Sequence, residues 1–316
     1  MTKIFIDGSE GTTGLRIHER FQNRDDIELL TISSEHRKDI NERKRLINES
    51  DITFTCLPDA AAIESVSLVE NENVRIIDPS TAHRTEEGWA YGFPELSEKH
   101  RHAIQTGKRV AVPGCHATGF ISLVYPLIAG GILPADYPVA AFSLTGYSGG
   151  GKKMIAEYES ESRSQEYDAP REYALSQQHK HLNEMKTITG LGKEPLFSPI
   201  VADYYSGMLV TVPLYAELLN DSPTPDKLQE FFEDYYAGQR FIRVMPYGAE
   251  SESKGFLSGN ARSEWDGLEI YVTGNPERIL LSARFDNLGK GASGAAIQCL
   301  NIMLGCEEDK GLYIFA

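Results

Sequence analysis

Cys115 stands between a chain-breaking Pro113-Gly114 pair and the apolar run Phe120 to Ile128. Arg109 to Val112 reads as a short buried strand and the apolar run as a helix, so Cys115 falls at a helix N-terminus. Unpaired backbone N–H groups and the positive end of the helix dipole favour a thiolate there, the nucleophilic form of cysteine. Taken alone, a cysteine after a turn is better read as a small buried hydrophobe, so the rest of the chain has to decide. A proton carrier is available in Gln177 to Met185, where His181 and Glu184 lie three residues apart. On a helix that spacing shares one face, and the carboxylate can orient the imidazole for proton transfer. His179 and His181 form an H-x-H pair, but no third ligand is nearby and H-E-x-x-H is absent, so no metal is expected and plain surface histidines are the alternative.

An electron donor would need a cradle, and the N-terminus supplies one. The strand Lys3 to Ile6 runs into Gly8, Ser9, Gly11, Thr12, Thr13 and Gly14, a G-x-x-G-x-x-G variant of the dinucleotide fingerprint. Gly8 is read as the turn, Gly11 as the close approach to pyrophosphate, and Gly14 as helix packing. Leu15, Ile17 and Phe21 give the next helix its apolar positions, and a second strand spans Ile27 to Ile32. After that strand an NAD site would place an acid; this chain has Ser33 and Ser34, then Arg37 or Lys38, which suit a 2′-phosphate and favour NADP, with Ser34 as a helix N-cap the plainer role. Asp51 to Leu57 reads as a strand that delivers Cys56, Leu57 and Pro58 to the cofactor cleft, with Cys56 packing rather than reacting. Val74 to Ile77 delivers Asp78 to Arg84, and Arg84 is a candidate anion ligand, with an exposed structural arginine the alternative.

From Pro138 to Thr145 a new sheet begins. It leads into Gly146 to Lys153, a glycine run whose backbone N–H groups can wrap a ligand. Glu157 to Arg171 reads as a polar mobile excursion or lid. Gly207 to Tyr215, Phe241 to Met245, Leu268 to Thr273 and Ile279 to Phe285 read as strands, with a helix beginning at Thr224-Pro225-Asp226. A last helix carries Ile297, Leu300 and Leu304, ends at Gly305 and is expected to pack on the first domain.

At 316 residues the chain is long enough for two domains of about 100 to 200 residues each. Phe120 to Leu133 is broken by Ser122, Pro126, Gly130 and Gly131, and Met1-Thr2-Lys3-Ile4 lacks a signal pattern, so a cytoplasmic protein is expected. Cys56, Cys115, Cys299 and Cys306 show no C-x-x-C spacing, which fits thiols in a reducing compartment. A net charge of −15 argues against nucleic acid and anionic membranes as partners, so an anionic ligand must meet a local cationic pocket.

Seven segments in order resemble the short-form N-acetyl-gamma-glutamyl-phosphate reductases, relatives of aspartate-semialdehyde dehydrogenase. They are Gly8 to Gly14, Asp78 to Arg84, Tyr91 to Leu96, Pro113-Gly114-Cys115, Gly146 to Gly151, His179 to Glu184 and Asp286 to Ala292. The resemblance implies an α/β fold: a Rossmann domain over 1–115, completed by a C-terminal helix 293–316, and interrupted by an α+β catalytic and oligomerisation domain over 116–292 with a mixed sheet. It implies Cys115 as nucleophile, His181 as acid/base, Glu184 beside it, and Arg84, His179 and Ser148 on the substrate. It also brings Asn287 near the nicotinamide and implies an NADPH-dependent reductase of an acyl phosphate through a cysteine thioester, a homodimer or homotetramer. The rivals are a sister reductase of aspartyl or aminoadipyl phosphate and a non-catalytic NADP sensor.

Overall fold

Short apolar strands alternating with helices build a parallel sheet at the start of the chain. The computed structural model describes residues 1–314, and these divide into two units: Met1–Gly114 with Ala292–Leu312, and Cys115–Gly291 with the residues from Tyr313 on. In the first, the chain runs β1 (Thr2–Asp7), α1 (Thr12–Phe21), β2 (Ile27–Leu30), α2 (Ile40–Glu49), β3 (Ile52–Thr55), α3 (Asp59–Ser67), β4 (Arg75–Asp78), β5 (Ala90–Tyr91), α4 (Glu98–Thr106) and β6 (Arg109–Ala111). The strands lie in the order β2-β1-β3-β4-β6-β5, all parallel. Successive side chains point to opposite faces, so Ile4 and Ile6 join Ile17 and Phe21 in one buried cluster while Phe5 joins Leu46 and Ile47 in another. The chain leaves β1 toward opposite sides for β2 and β3, which makes the carboxyl ends of β1 and β3 the switch point where such sheets hold ligands.

Three local expectations are corrected here. Leu15 faces solvent, because Gly14, Ile17 and Phe21 already fill the buried stripe of α1. The second strand stops at Leu30, two residues short of Ile32. Ser34 does not cap the next helix: Asp39 does, accepting from the Asn41 N–H at 2.9 Å.

The second unit runs α5 (Cys115–Ala129), β7 (Ala140–Gly146), α6 (Gly151–Tyr158), β8 (Arg171–Glu172), α7 (Leu182–Thr189), β9 (Leu196–Ala202), β10 (Met208–Tyr215), α8 (Pro225–Tyr235), β11 (Ile242–Val244), β12 (Leu268–Gly274) and β13 (Arg278–Phe285). Its sheet is mixed, in the order β11-β12-β13-β10-β7-β9-β8. Antiparallel pairs dominate, but β7–β9 and β11–β12 are parallel. Helix α5 packs on β10 and β13, α7 packs on α5, and α8 packs on β11 and β12. Strand β9 was not read from the sequence, since Pro195 and Pro199 disguise it; Pro199 has no N–H to give, but its carbonyl accepts from Tyr173.

Residues 157–171 make defined side-chain contacts. The Arg163 guanidinium donates to the Tyr158 carbonyl, Asp168 and Asp203 at 2.6–2.8 Å, and Arg171 lies over the Tyr167 ring. The chain ends on α9 (Gly294–Leu304), whose Ala295, Ala296, Ile297 and Leu300 complete the core of the first unit. Gly305 stops it at φ +68°, so the expected helix 293–316 is shorter; positions 315–316 lie outside the described residues.

Candidate functional site

Cys115 is the first residue of α5, directly after the turn at Pro113-Gly114. The loop after β13 passes close to it: a Cβ on Gly291 would lie 3.0 Å from the Cys115 Cβ, so any side chain there would crowd the cysteine. His181 is the N-cap residue of α7, and Glu184 lies in the first turn of that helix, both buried. The spacing of three therefore acts across a helix start, with the carboxylate at the positive end of the α7 dipole. The His181 backbone N–H donates to His179 Nδ1 at 3.2 Å, which fixes that nitrogen as an acceptor and leaves the His179 proton on Nε2. The two rings meet edge to face at 4.8 Å. Among the described residues no group of three or more His, Cys, Asp or Glu could hold a metal ion.

Sequence reasoning did not assign three neighbours of this centre. His116 is buried, its Nδ1 lies 2.7 Å from Ser143 Oγ, and its Nε2 lies 2.7 Å from the Tyr173 hydroxyl. Burial, reinforced by His179 and Lys180, pushes its imidazole down to about 3, so it is neutral. Burial and then the Cys115 charge push the Tyr173 phenol up. His116 adjoins Cys115 in the chain and could have been flagged on that ground; nothing local marks Ser143 or Tyr173.

Ser148 and Asn287 meet in the same unit. Asn287 Nδ2 donates to Ser148 Oγ at 3.0 Å, and its Oδ1 accepts from the Gly207 N–H at 2.8 Å. The amide thus braces the glycine turn against the start of β10.

Arg84 likewise turns inward. It is buried, and its Nε and Nη2 donate to the carbonyls of Val112 and Pro79, each at 2.9 Å. It therefore ties the carboxyl ends of β4 and β6 together. The segment carrying it is pinned at Asp78, which accepts from His83 Nδ1 at 2.5 Å, Thr55 at 2.6 Å and Ser80 at 2.7 Å. Burial alone would push the Asp78 carboxyl up, but these hydrogen bonds outweigh it and hold the group below the usual carboxylate range.

The glycine loop lies at the switch point of the first unit. Gly8 has φ +92°, and a Cβ there would sit 2.3 Å from the Cys56 carbonyl oxygen; a Cβ on Gly14 would sit 2.4 Å from the Gly8 oxygen. Both positions exclude any larger residue, so the backbone itself forms the concave surface, flanked by Leu57. Gly11 is the N-cap of α1 and brings no side chain, so no capping side chain occupies the first N–H groups of that helix, which is what an anion site needs. Burial and then the charges of Asp78 and Asp7 push the Cys56 thiol up, which disfavours its thiolate. Ser33, Ser34 and Arg37 are exposed beside this loop: Arg37 pairs with Glu10 of the loop itself, and Ser33 Oγ bonds His36 Nδ1 at 2.8 Å. Among the sequence-expected cofactor residues, Gly8 to Gly14, Ser33 to Arg37 and Cys56 to Pro58 thus converge on one sheet edge, whereas Asn287 belongs to the other unit.

A glycine-cradled parallel sheet joined to a mixed-sheet unit that opens on a cysteine defines a class. The family model for the semialdehyde dehydrogenase NAD binding domain matches residues 3–105, and that for the semialdehyde dehydrogenase dimerisation domain matches 115–287. The N-acetyl-gamma-glutamyl-phosphate reductase 2 of Nostoc sp. is 46% identical, covering 98% of this chain and 99% of its own length. The N-acetyl-gamma-glutamyl-phosphate reductase of Chelativorans sp. is also 46% identical, over 96% of this chain and 98% of its own. In structure, aspartate semialdehyde dehydrogenase II of Vibrio cholerae shares the fold with a TM-score of 0.71 at 15% identity, covering 96% of this chain and 98% of its own. The chain belongs to the semialdehyde dehydrogenase family, among its N-acetyl-gamma-glutamyl-phosphate reductases.

Proposed function

We propose that the protein reduces N-acetyl-L-glutamyl 5-phosphate to N-acetyl-L-glutamate 5-semialdehyde and phosphate, with NADPH as electron donor, in arginine biosynthesis. The observation that carries the reading is a cysteine opening α5 in the same unit as a histidine–glutamate pair opening α7. The start of α5 favours the Cys115 thiolate, which attacks the carbonyl carbon of the acyl phosphate. The carbon–oxygen bond to phosphate breaks, phosphate leaves with the electron pair, and Cys115 holds a thioester. When bound at the Gly8 to Gly14 loop, NADPH supplies the hydride that a thioester can accept and a carboxylate cannot. His181 gives a proton to the oxygen as its charge develops and takes it back as the carbon–sulfur bond breaks, releasing aldehyde and restoring the thiolate. Glu184 orients that imidazole. His179, with Nε2 as its donor, Ser148 and Arg84 are assigned to substrate.

The open helix start and the clash-bound glycines fit a pyrophosphate, and Ser33, Ser34 and Arg37 suit a 2′-phosphate. The reverse reaction tests activity and coenzyme together: N-acetylglutamate semialdehyde should reduce NADP only when phosphate is present, at least about tenfold more efficiently than NAD. Equal or better turnover of aspartate semialdehyde would transfer the assignment to the sister reductase.

Self-association has a surface. On the sheet face opposite α5, Phe142, Leu196, Tyr215 and Leu280 are all exposed, and the strand register places them on one side. A second copy of the chain is the occupant we assign, in keeping with the dimerisation domain that the family model names. Phe142→Glu combined with Leu280→Glu should convert a dimer to monomers in sedimentation velocity; an unchanged sedimenting mass would rule this face out. Four cysteines outside any disulfide, and no described helix long and apolar enough to cross a membrane, accord with a cytoplasmic enzyme.

A further inference from the structure

Ser143, His116 and Tyr173 form a hydrogen-bonded row beside Cys115. His116 follows Cys115 in the first turn of α5, and both of its ring nitrogens are engaged, Nδ1 with Ser143 on β7 and Nε2 with Tyr173, at 2.7 Å each. The rings of His179, His181 and Phe197 pack around it at 5.3–5.5 Å, so the row runs through the group that contains the proposed acid. A neutral imidazole carries one N–H, and the row as a whole holds three protons for two internal hydrogen bonds. One proton must therefore point out of the row.

Which proton it is follows from burial. If Tyr173 donated to Nε2, then Nδ1–H would donate to Ser143, and the serine proton would be left over. Ser143 is wholly buried, and His116 is its hydroxyl partner among the described residues, so that arrangement strands a donor in a dry site. In the opposite arrangement Ser143 donates to Nδ1, Nε2–H donates to the Tyr173 oxygen, and the surplus proton sits on Tyr173, which is only half-buried. Charge at Cys115 acts on this phenol and helps it keep its proton.

We infer that the Tyr173 hydroxyl, aimed by Ser143 through His116, is a further catalytic hydrogen-bond donor that stabilises the oxyanion on the carbonyl held by Cys115. This rests on the thioester reaction proposed above. Tyr173 is the catalytic group; His116 and Ser143 are positioning residues that act by fixing its proton.

The test is a double-variant cycle in the full-length enzyme. Tyr173→Phe should lower kcat for acyl-phosphate reduction about 100-fold while KM stays within about twofold, because the donor acts on charge that develops only during reaction. Ser143→Ala lets the row reverse and should lower kcat about tenfold, although Ser143 touches no substrate. The double variant should be no slower than Tyr173→Phe alone, since the donor that Ser143 aims is already gone. Effects that multiply in the double variant, or a kcat for Tyr173→Phe within about twofold of the parent, would overturn the inference. An unmodified enzyme lacking phosphate-dependent turnover would instead overturn the reaction itself, and this assignment with it.

Discussion

Serine in place of Cys115 should leave a protein that folds and binds NADPH as before, yet turns over acyl phosphate about 100,000-fold more slowly. Oxygen in place of sulfur changes the packing at the start of α5 very little, but an alcohol is almost wholly protonated where a thiol at a helix start is not. The loss therefore falls on kcat. NADPH affinity should stay within about twofold, because the glycine loop lies in Met1–Gly114 and the substitution in Cys115–Gly291. Fluorescence titration of NADPH and stopped-flow reduction read the two quantities separately, and turnover within about tenfold of the parent would remove Cys115 from the mechanism.

The same residue separates an enzyme from a nucleotide sensor. Iodoacetamide near neutral pH should label Cys115 ahead of the other three thiols. Cys56 is held protonated by burial and by Asp78 and Asp7, Cys299 is buried with its thiol against the Gly92 carbonyl at 3.5 Å, and Cys306 is engaged with the Asn301 carbonyl at 3.6 Å. A sensor has no use for one reactive thiol among four, so uniform or absent labelling would favour it.

What the sequence made legible was local. Strand, glycines and helix follow one another within Thr2 to Phe21, and each residue type there states its own reason: Gly8 and Gly14 because a Cβ would strike a carbonyl, Gly11 because the helix start must stay open. The helix start at Cys115 was legible for the same reason, from Pro113-Gly114 on one side and an apolar run on the other. What escaped was set by contacts far along the chain. Nothing local announces that Arg84 meets the carbonyls of Pro79 and Val112, or that the Asn287 amide bridges Ser148 and Gly207. Strand β9 escaped because proline argues against a strand interior, and only the pairing with β7 shows that Pro199 costs the ladder little. Tyr173 carried no local signal at all, since its importance depends on a proton count through two other residues.

Asparagine at His181 should separate the two halves of the reaction. Thioester formation needs a thiolate and a good leaving group, and α5 and the acyl phosphate provide both without His181. In the variant, mixing with acyl phosphate should still release a rapid burst of about one phosphate per Cys115, while steady turnover falls about 1,000-fold. The loss arises later, when charge gathers on the carbonyl oxygen and no proton is at hand. Glu184→Gln should cost less, about tenfold, since it leaves the imidazole in place and removes only the charge that orients it from the first turn of α7. Loss of the burst together with turnover would move His181 to the first step, as the base that makes the thiolate, and the start of α5 would then be insufficient to activate Cys115.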